Sequence, residues 1–273
     1  GGPGFLPGSA WNEMRREALD KLLQKRSEPA PLATKEITLP EYAEHEVGMI
    51  PQLAARFETA AQLPGAEYLA KLRYLILPIR EADAVPQPLR CKTLLELPRA
   101  AFGTVEPDTM RRLAALEGSG FAGVVANNLA QFGYASPLPV FGGLGLNVTN
   151  PMSAAEYVCL GARGLLVQPE TALTAMRAVA PRQKDGTPVP TAALCYGHLP
   201  LMLTRACPLR NVRTSCAGCT HKGKLRDRKG RDFPVRCSAP GSAGMRTVFN
   251  PVPLYMGDRL TEMPVDLAVA AFT

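Results

Sequence analysis

Short apolar runs that alternate with helical segments constrain the fold of this chain more than any other feature. From residue 52 onward, about eight runs have the pattern of strands covered on both faces, and helical patterns separate several of them. The runs are LAARFET, YLILPI, CKTLLELP, FAGVVAN, LPVFGG with GLNVTN, GLLVQPE, TAALCYG and VDLAVAAFT. This alternation predicts a parallel α/β architecture, and eight such units favour a closed (β/α)8 TIM-like barrel.

A doubly wound open sheet is the alternative architecture for the same alternation. The glycine-rich stretch GGLGLN does not support it, because the stretch lacks the G-x-G-x-x-G order of a dinucleotide-binding loop.

A cysteine-rich stretch lies before the last apolar run. Four of the seven cysteines, Cys207, Cys216, Cys219 and Cys237, have the spacing Cys-x8-Cys-x2-Cys-x17-Cys. Thiolates bind zinc and iron-sulfur clusters, and a Cys-x2-Cys turn directs two sulfurs at one metal. Structural zinc sites usually pair two such turns, whereas this stretch has one. The spacing therefore favours a 4Fe-4S cluster, with zinc as the alternative.

Two disulfides, or four unrelated buried thiols, are the other interpretations of these cysteines. The odd total of seven cysteines and the lack of a visible secretory leader argue against disulfides.

The cysteine-rich stretch also carries the positive charge of the chain. Ten Lys or Arg and only two acidic residues lie between Arg205 and Arg236, while the whole chain has a net charge of +7. Such a cationic segment favours deprotonated thiols and attracts a polyanion such as RNA; a solvated basic hairpin is the alternative. The candidate contacts to an RNA backbone are Arg205, Arg210, Arg213, Lys222, Lys224, Arg226 and Arg228.

The sequence predicts three segments. Residues 1–26 contain a helix from about Ala10 to Arg26, residues 27–51 have the composition of a linker, and residues 52–273 form the barrel with its basic insert at 205–237. No apolar run approaches the ~20 residues of a membrane span, and we expect a cytoplasmic protein with reduced thiols. The two ends of the chain indicate a fragment of a longer protein.

Polar residues follow several of the predicted strands. In a barrel the carboxyl ends of the strands form the functional face, so these residues are candidates for substrate binding. Each of them can equally cap a helix or fix a loop. They are Arg80, Glu96, Arg99, Asn127, Asn128, Asn147, Asn150, Glu170 and His198.

The sequence identifies no catalytic residue. It contains no nucleophile elbow, no H-E-x-x-H helix and no P-loop. Cys195 and His198 are three residues apart across a Tyr-Gly turn, which gives no reason for their side chains to meet.

Several motifs together resemble one known family. The runs YGHLPLMLTRACPLRNVRTSCAGC, LRDRKGRDFPVRC and FNPVPLYMGDR, with the closing DLAVAAFT, resemble the carboxyl-terminal part of the collagenase-like peptidases of family U32. The resemblance is to the long bacterial members, which are related to the enzyme that makes 5-hydroxycytidine in 23S ribosomal RNA. The opening LPGSAWNEMRREALDKL is similar to the end of their collagenase-associated middle domain, and GGLGLNVTN matches the pattern of their fifth strand.

The resemblance implies a cofactor and three alternative functions. By position, the ligands of a 4Fe-4S cluster would be Cys207, Cys216, Cys219 and Cys237, and the preceding domains of the same polypeptide would be partners. The first function is iron-sulfur-dependent hydroxylation of a base in rRNA or tRNA. The second is collagenase-like peptide hydrolysis. The third is a non-catalytic module that binds zinc or a cluster and interacts with RNA.

Overall fold

The computed structural model of the chain describes residues 4, 6–29, 42–46, 48–134, 138–210, 216, 218–238 and 244–273. The chain divides into two compact units, Gly1–Glu41 and Tyr42–Thr273. The first unit contains one described helix, α1 (Gly8–Ser27), which buries none of its residues. Its apolar residues Trp11, Met14, Leu19, Leu22 and Leu23 are all more than half exposed. That this helix ends a preceding domain remains a prediction.

Eight parallel strands of the second unit form a closed barrel, which confirms the predicted architecture. They are β1 (Gln52–Arg56), β2 (Leu72–Pro78), β3 (Thr93–Glu96), β4 (Gly123–Ala126), β5 (Val140–Gly142), β6 (Ala162–Leu166), β7 (Thr191–Gly197) and β13 (Leu267–Ala271). Each strand pairs with the next along the chain, and β13 pairs with both β7 and β1. The β6–β7 pairing completes the ring.

The helices between the barrel strands are short. They are α2 (Ala66–Ala70), α3 (Gln87–Arg90), α4 (Val105–Ala115), α5 (Pro151–Cys159) and α6 (Leu173–Arg177). Short 3-10 helices supplement them at Ala60–Gln62, Ile79–Ala84, Leu129–Gly133, Leu144–Leu146 and Leu260–Glu262. Among the described residues, no helix has the length and apolar character needed to cross a bilayer.

Apolar side chains cover both faces of the barrel strands, as the runs in the sequence require. On the outer face Leu75, Leu95 and Val124 pack with Leu113 of α4. The inner face forms a separate cluster that lines the lumen of the barrel. It contains Ala54, Ala192, Leu267 and Val269, with Tyr74, Ile76, Leu166 and Leu194 packed against them.

A second, antiparallel sheet lies in the chain between β7 and β13. It contains β8 (Pro200–Thr204), β9 (Lys222–Arg226), β10 (Asp232–Cys237) and β11 (Arg246–Phe249), in the order β8-β11-β10-β9. Residues 205–237, predicted as the basic insert, thus contribute β9 and β10. The short strand β12 (Leu254–Tyr255) pairs antiparallel with β7.

A tight turn connects β9 to β10. The Asp227 carboxylate accepts hydrogen bonds from the backbone N–H groups of Lys229 (2.8 Å) and Arg231 (2.9 Å). Gly230 has a φ of +77°, a backbone conformation that glycine adopts without strain. These two features fix the hairpin register.

The segment 42–46 attaches to the base of the barrel at His45. Its backbone N–H donates to the carbonyl of Arg177 (2.9 Å). Its ring Nε2 lies 3.0 Å from the carbonyl oxygen of Val179 and 2.8 Å from Oγ1 of Thr191, the first residue of β7. The predicted linker 27–51 therefore contacts the barrel at this residue.

Candidate functional site at the barrel mouth

One cavity of about 640 Å³ joins the lumen of the barrel to the carboxyl ends of its strands. We call it the mouth cavity. Apolar and aromatic side chains such as Ile76, Leu94 and Phe141 line its inner part, and charged residues at the strand ends line its rim. Because barrels of this kind carry their functional residues at the carboxyl-terminal face, the mouth cavity is the candidate site.

An ion-pair network at the ends of β1 and β3 forms one side of the rim. Nε and Nη2 of Arg56 lie 2.9 and 2.8 Å from Oε2 of Glu96, and Nη1 lies 2.9 Å from Oε1 of Glu58. About a fifth of each of these three side chains is exposed. Burial alone would lower the pKa of Arg56, but the two carboxylates raise it well above its usual range. Arg56 is therefore a permanent cation that holds both carboxylates in place.

Arg56 and Glu58 were not among the residues predicted from the sequence. Arg56 follows three apolar residues at the end of β1, and a charged residue at the last position of a strand is the signal that was available. The partner carboxylate of Glu96 lies forty positions further along the chain, so no local pattern connects the two residues.

Two predicted residues, Arg80 and Arg99, line the mouth cavity beside this network. Arg80 pairs with Glu58, its Nη2 lying 3.0 Å from Oε2. Arg99 is half-buried, and among the described residues its guanidinium has no hydrogen-bond or ion-pair partner. Burial lowers the pKa of Arg99, Glu96 opposes this effect, and the positive charge of Arg56 adds to it.

His198 is the fourth predicted residue at the mouth, after Arg80, Glu96 and Arg99. Its Nδ1 lies 2.6 Å from the carbonyl oxygen of Asn250, so Nδ1 carries the proton and donates. Cys195, three residues earlier, is buried in the outer core beneath the helices, and burial raises the pKa of its thiol. A raised pKa disfavours the thiolate, so Cys195 is not suited to act as a nucleophile with His198.

Asn127 has a structural position near the mouth and is not among the residues that line the cavity. Its Nδ2 donates to the carbonyl of Leu97 (3.0 Å), and its Oδ1 accepts from the backbone N–H of Gly145 (3.2 Å). The backbone N–H of Asn127 donates to Oε1 of Gln131 (2.6 Å). The buried amide thus joins the loops after β3, β4 and β5 and supports the rim from behind.

The remaining polar residues at strand ends also lie outside the cavity lining. Asn147 has a left-handed backbone, and its Oδ1 accepts from Nε2 of Gln168 at 2.5 Å. Glu170 is exposed to solvent. Asn150 caps α5 by accepting from the backbone N–H of Ser153 (2.9 Å), and Asn128 precedes the 3-10 turn at 129–133 as its cap. Asn128 and Asn150 therefore cap helices, which the sequence allowed as the alternative to substrate binding.

The four predicted metal-ligating cysteines lie around the antiparallel sheet. The backbone N–H of Cys219 donates to the carbonyl of Cys216 (3.2 Å), which closes the Cys-x2-Cys turn. Cys207 begins a similar turn, and Cys237 ends β10 and lines the mouth cavity. None of the seven cysteines of the chain forms a disulfide.

The donor chemistry of four thiols suits an iron-sulfur cluster or zinc, but their placement does not. Within the described parts of the chain, no three His, Cys, Asp or Glu side chains are close enough together to hold a metal ion. The residues as placed therefore do not fit the predicted cofactor, and the 4Fe-4S cluster and its zinc alternative remain predictions.

The predicted RNA-binding cations fall into three groups. Arg205 lies over the ring of Phe102 at 4.7 Å, and both Lys224 (2.6 Å) and Arg226 (2.7 Å) pair with Asp232. The hydrogen bonds from these two cations hold the pKa of Asp232 well below its usual range. Among the described residues, three exposed side chains have no such partner: Arg210, Lys222 and Arg228. Arg213 lies outside the described residues.

One face of the β9–β10 hairpin is basic and leads to the mouth cavity. Lys222, Lys224 and Arg226 alternate along β9 and therefore share a face. In the register of the hairpin Lys222 lies opposite Arg236, so Arg236 belongs to the same face. Arg236 also lines the mouth cavity. We call these four residues the hairpin face.

Comparison with known proteins finds no matching family model and no matching curated protein.

Three solved structures are similar. The U32 peptidase Mk0906 is 12% identical with a TM-score of 0.47, over 86% of this chain and 97% of that chain. Protein CitE from Mycobacterium tuberculosis, in complex with magnesium and acetate, is 17% identical with a TM-score of 0.32, over 53% of this chain and 74% of that chain. The spore cortex-lytic enzyme SleL of Bacillus cereus is 10% identical with a TM-score of 0.34, over 89% of this chain and 74% of that chain. Similarities of this size do not extend to activity or substrate.

Proposed function

We propose that this chain is a U32-type barrel unit that binds single-stranded RNA along its hairpin face and receives one base in the mouth cavity for modification. The observation that carries the proposal is the continuity of the hairpin face with the cavity. Arg236 lies opposite Lys222 in the hairpin and also lines the cavity. A phosphate backbone that follows the cations would therefore pass the opening of the barrel.

The charge of the hairpin supports contact with phosphates. Alternate residues of a strand are roughly 7 Å apart, so β9 presents a regular row of cations. Asp232 neutralises part of the charge of Lys224 and Arg226, whereas Lys222 and Arg228 have no partner among the described residues. Lys222 and Arg228 are therefore among the cations that can replace counterions on RNA.

The inner wall of the cavity supports entry of a base. The rings of Tyr74 and Phe141 lie 5.6 Å apart and both line the lumen. Proteins that act on a base commonly turn it out of the strand into a pocket with aromatic and apolar walls. The modification implied by the family resemblance is hydroxylation of the base. The cysteines of the described residues do not assemble a metal site.

The proposal is tested by fluorescence anisotropy with labelled single-stranded RNA at several salt concentrations. The double variant Lys222→Gln/Arg228→Gln should bind roughly 10-fold more weakly than the wild type at physiological salt. Its slope of log affinity against log salt should be smaller by about 0.7 for each lost phosphate contact.

A matched control removes the same charge from the opposite end of the barrel. Arg163 lies near the start of β6 and donates to Oε1 of Gln183 (2.8 Å), and Lys184 is exposed beside Gln183 in the loop before β7. The variant Arg163→Gln/Lys184→Gln should bind RNA like the wild type. Equal losses in the two double variants, or no RNA binding by the wild type, would refute the proposal. Cleavage of gelatin by a chain that does not bind RNA would favour the peptidase alternative.

A further inference from the structure

We propose that the mouth cavity contains an oxyanion subsite built on Arg99, which binds the phosphate group of the nucleotide whose base enters the lumen. This inference rests on the proposed function and adds the group that anchors the ligand. It names Arg99 as a positioning residue for the substrate, distinct from the cations of the hairpin face.

The charges around β3 are arranged so that the carboxylate nearest to Arg99, that of Glu96, pairs with another arginine. Arg56 directs two nitrogens at the same oxygen of Glu96, at 2.9 and 2.8 Å, so this carboxylate is already paired. Arg80 is in turn paired with Glu58. Arg99 lines the same cavity, and among the described residues no carboxylate or carbonyl accepts from its guanidinium.

A partly desolvated cation without a partner is unfavourable, and a bound anion removes this penalty. Burial lowers the pKa of Arg99, which agrees with a charge that the surrounding protein does not fully compensate. The planar fork of a guanidinium matches two oxygens of a phosphate, so arginine is well suited to hold such a group in one orientation.

A second arginine borders the same space. Arg236 lines the cavity, and its buried Nε has no hydrogen-bond partner within the described part of the chain. Five arginine side chains and only three carboxylate side chains line the whole cavity. The rim therefore has an excess of positive charge that favours an anionic ligand.

The inner wall restricts which anion fits. The mouth cavity continues into a lumen lined by Ile76, Leu94, Leu194 and the rings of Tyr74 and Phe141. An inorganic anion would leave this apolar space empty, whereas a nucleotide has both an aromatic base for the lumen and a phosphate for the rim. The combination favours a nucleotide that is part of a strand or free.

Isothermal titration calorimetry with ribonucleoside 5′-monophosphates and the corresponding nucleosides tests the subsite. The variant Arg99→Gln should bind the monophosphate at least about 10-fold more weakly, because a charge-assisted bidentate contact is lost, and the nucleoside within about 2-fold of the wild type. Arg99→Lys keeps the positive charge but loses the planar guanidinium. Its affinity for the monophosphate should lie between those of the wild type and Arg99→Gln. Arg163→Gln, at the opposite end of the barrel, should change neither affinity.

Far-UV circular dichroism of each variant establishes that the barrel has folded. Equal weakening for monophosphate and nucleoside, or no weakening for either, would overturn the subsite. If wild type and Arg99→Gln bind RNA and monophosphate alike, the subsite is wrong while the proposed function stands. If the wild type binds neither RNA nor monophosphate, both proposals are wrong.

Discussion

The ion-pair network at the rim allows a quantitative test of how the mouth is held together. In the variant Arg56→Met, the side chain keeps its approximate length but loses all three nitrogens that face carboxylates at 2.8–2.9 Å. Glu96 then loses its ion pair with Arg56, whereas Glu58 keeps its ion pair with Arg80. The loss is therefore concentrated on one carboxylate.

Removing one partner of a fully buried ion pair costs about 3–5 kcal/mol. About a fifth of each side chain is exposed here, so solvent screens part of the loss, and we expect destabilisation of about 2–3 kcal/mol. The double variant Arg56→Met/Glu96→Met removes the stranded carboxylate as well. It should be less destabilised than the sum of the two single variants by about 1–2 kcal/mol.

Urea unfolding at pH 7, followed by circular dichroism at 222 nm, measures these differences. Circular dichroism follows unfolding of the barrel better than tryptophan fluorescence does. The single tryptophan, Trp11, lies in α1, outside the barrel unit. Arg80→Met serves as the control, since Arg80 is 41% exposed and Glu58 keeps Arg56; a loss of less than about 1 kcal/mol is expected. Additive effects of the Arg56 and Glu96 variants, or a loss below about 1 kcal/mol in Arg56→Met, would refute this account of the rim.

Three further predictions concern pH, the buried amide and the cofactor. Burial alone would raise the pKa of Glu58, but Arg56 and Arg80 lower it below its usual 4.5. The contribution of Glu58 to stability is therefore complete above pH 4.5 and is lost as pH falls through the lower folded pKa. The stability difference between wild type and Arg56→Met should shrink over that interval in urea titrations. Asn127→Ala leaves the carbonyl of Leu97 and the N–H of Gly145 without their hydrogen-bond partner. It should lower the free energy of unfolding by about 2–4 kcal/mol in the same assay. The control Glu170→Ala, at an exposed residue, should lower it by less than about 0.5 kcal/mol. The cysteine spacing predicts iron and acid-labile sulfide in a ratio near one in anaerobically purified protein, and loss of both in Cys219→Ser, whereas the placement of the cysteines in the structure predicts neither. About one zinc without sulfide would support the zinc alternative.

The barrel was predictable because its signal is local. A strand buried on both faces needs a short apolar run, and each of the eight predicted runs overlaps a barrel strand. The helical pattern between the runs GLNVTN and GLLVQPE corresponds to α5, Pro151–Cys159, where Asn150 provides the cap. In contrast, α3 was missed, since its four residues are too few to show a helical period.

The antiparallel sheet and the rim were not predictable in the same way. β8 pairs with β11 across more than forty residues of chain, and nothing in either run specifies the partner. The same holds for Arg56 and Glu96, whose contact arises only when β1 and β3 meet at the same end of the barrel. The strand-end rule identified Arg80, Glu96, Arg99 and His198 at the cavity, but it could not separate them from Asn127, Asn147 and Glu170, because all seven follow strands.

The small residues of the lumen have a consequence for how a ligand can be found. Ala54, Ala192, Gly142 and Gly164 line the mouth cavity, so part of the volume that larger side chains fill in a packed barrel is open here. A compound that occupies this volume in the folded protein alone raises the free energy of unfolding by about 2.7 kcal/mol at a concentration of 100 times its Kd. The melting temperature of the barrel therefore acts as a sensor of occupancy, and a thermal-shift screen of metabolite libraries can identify ligands without any assumption about the reaction.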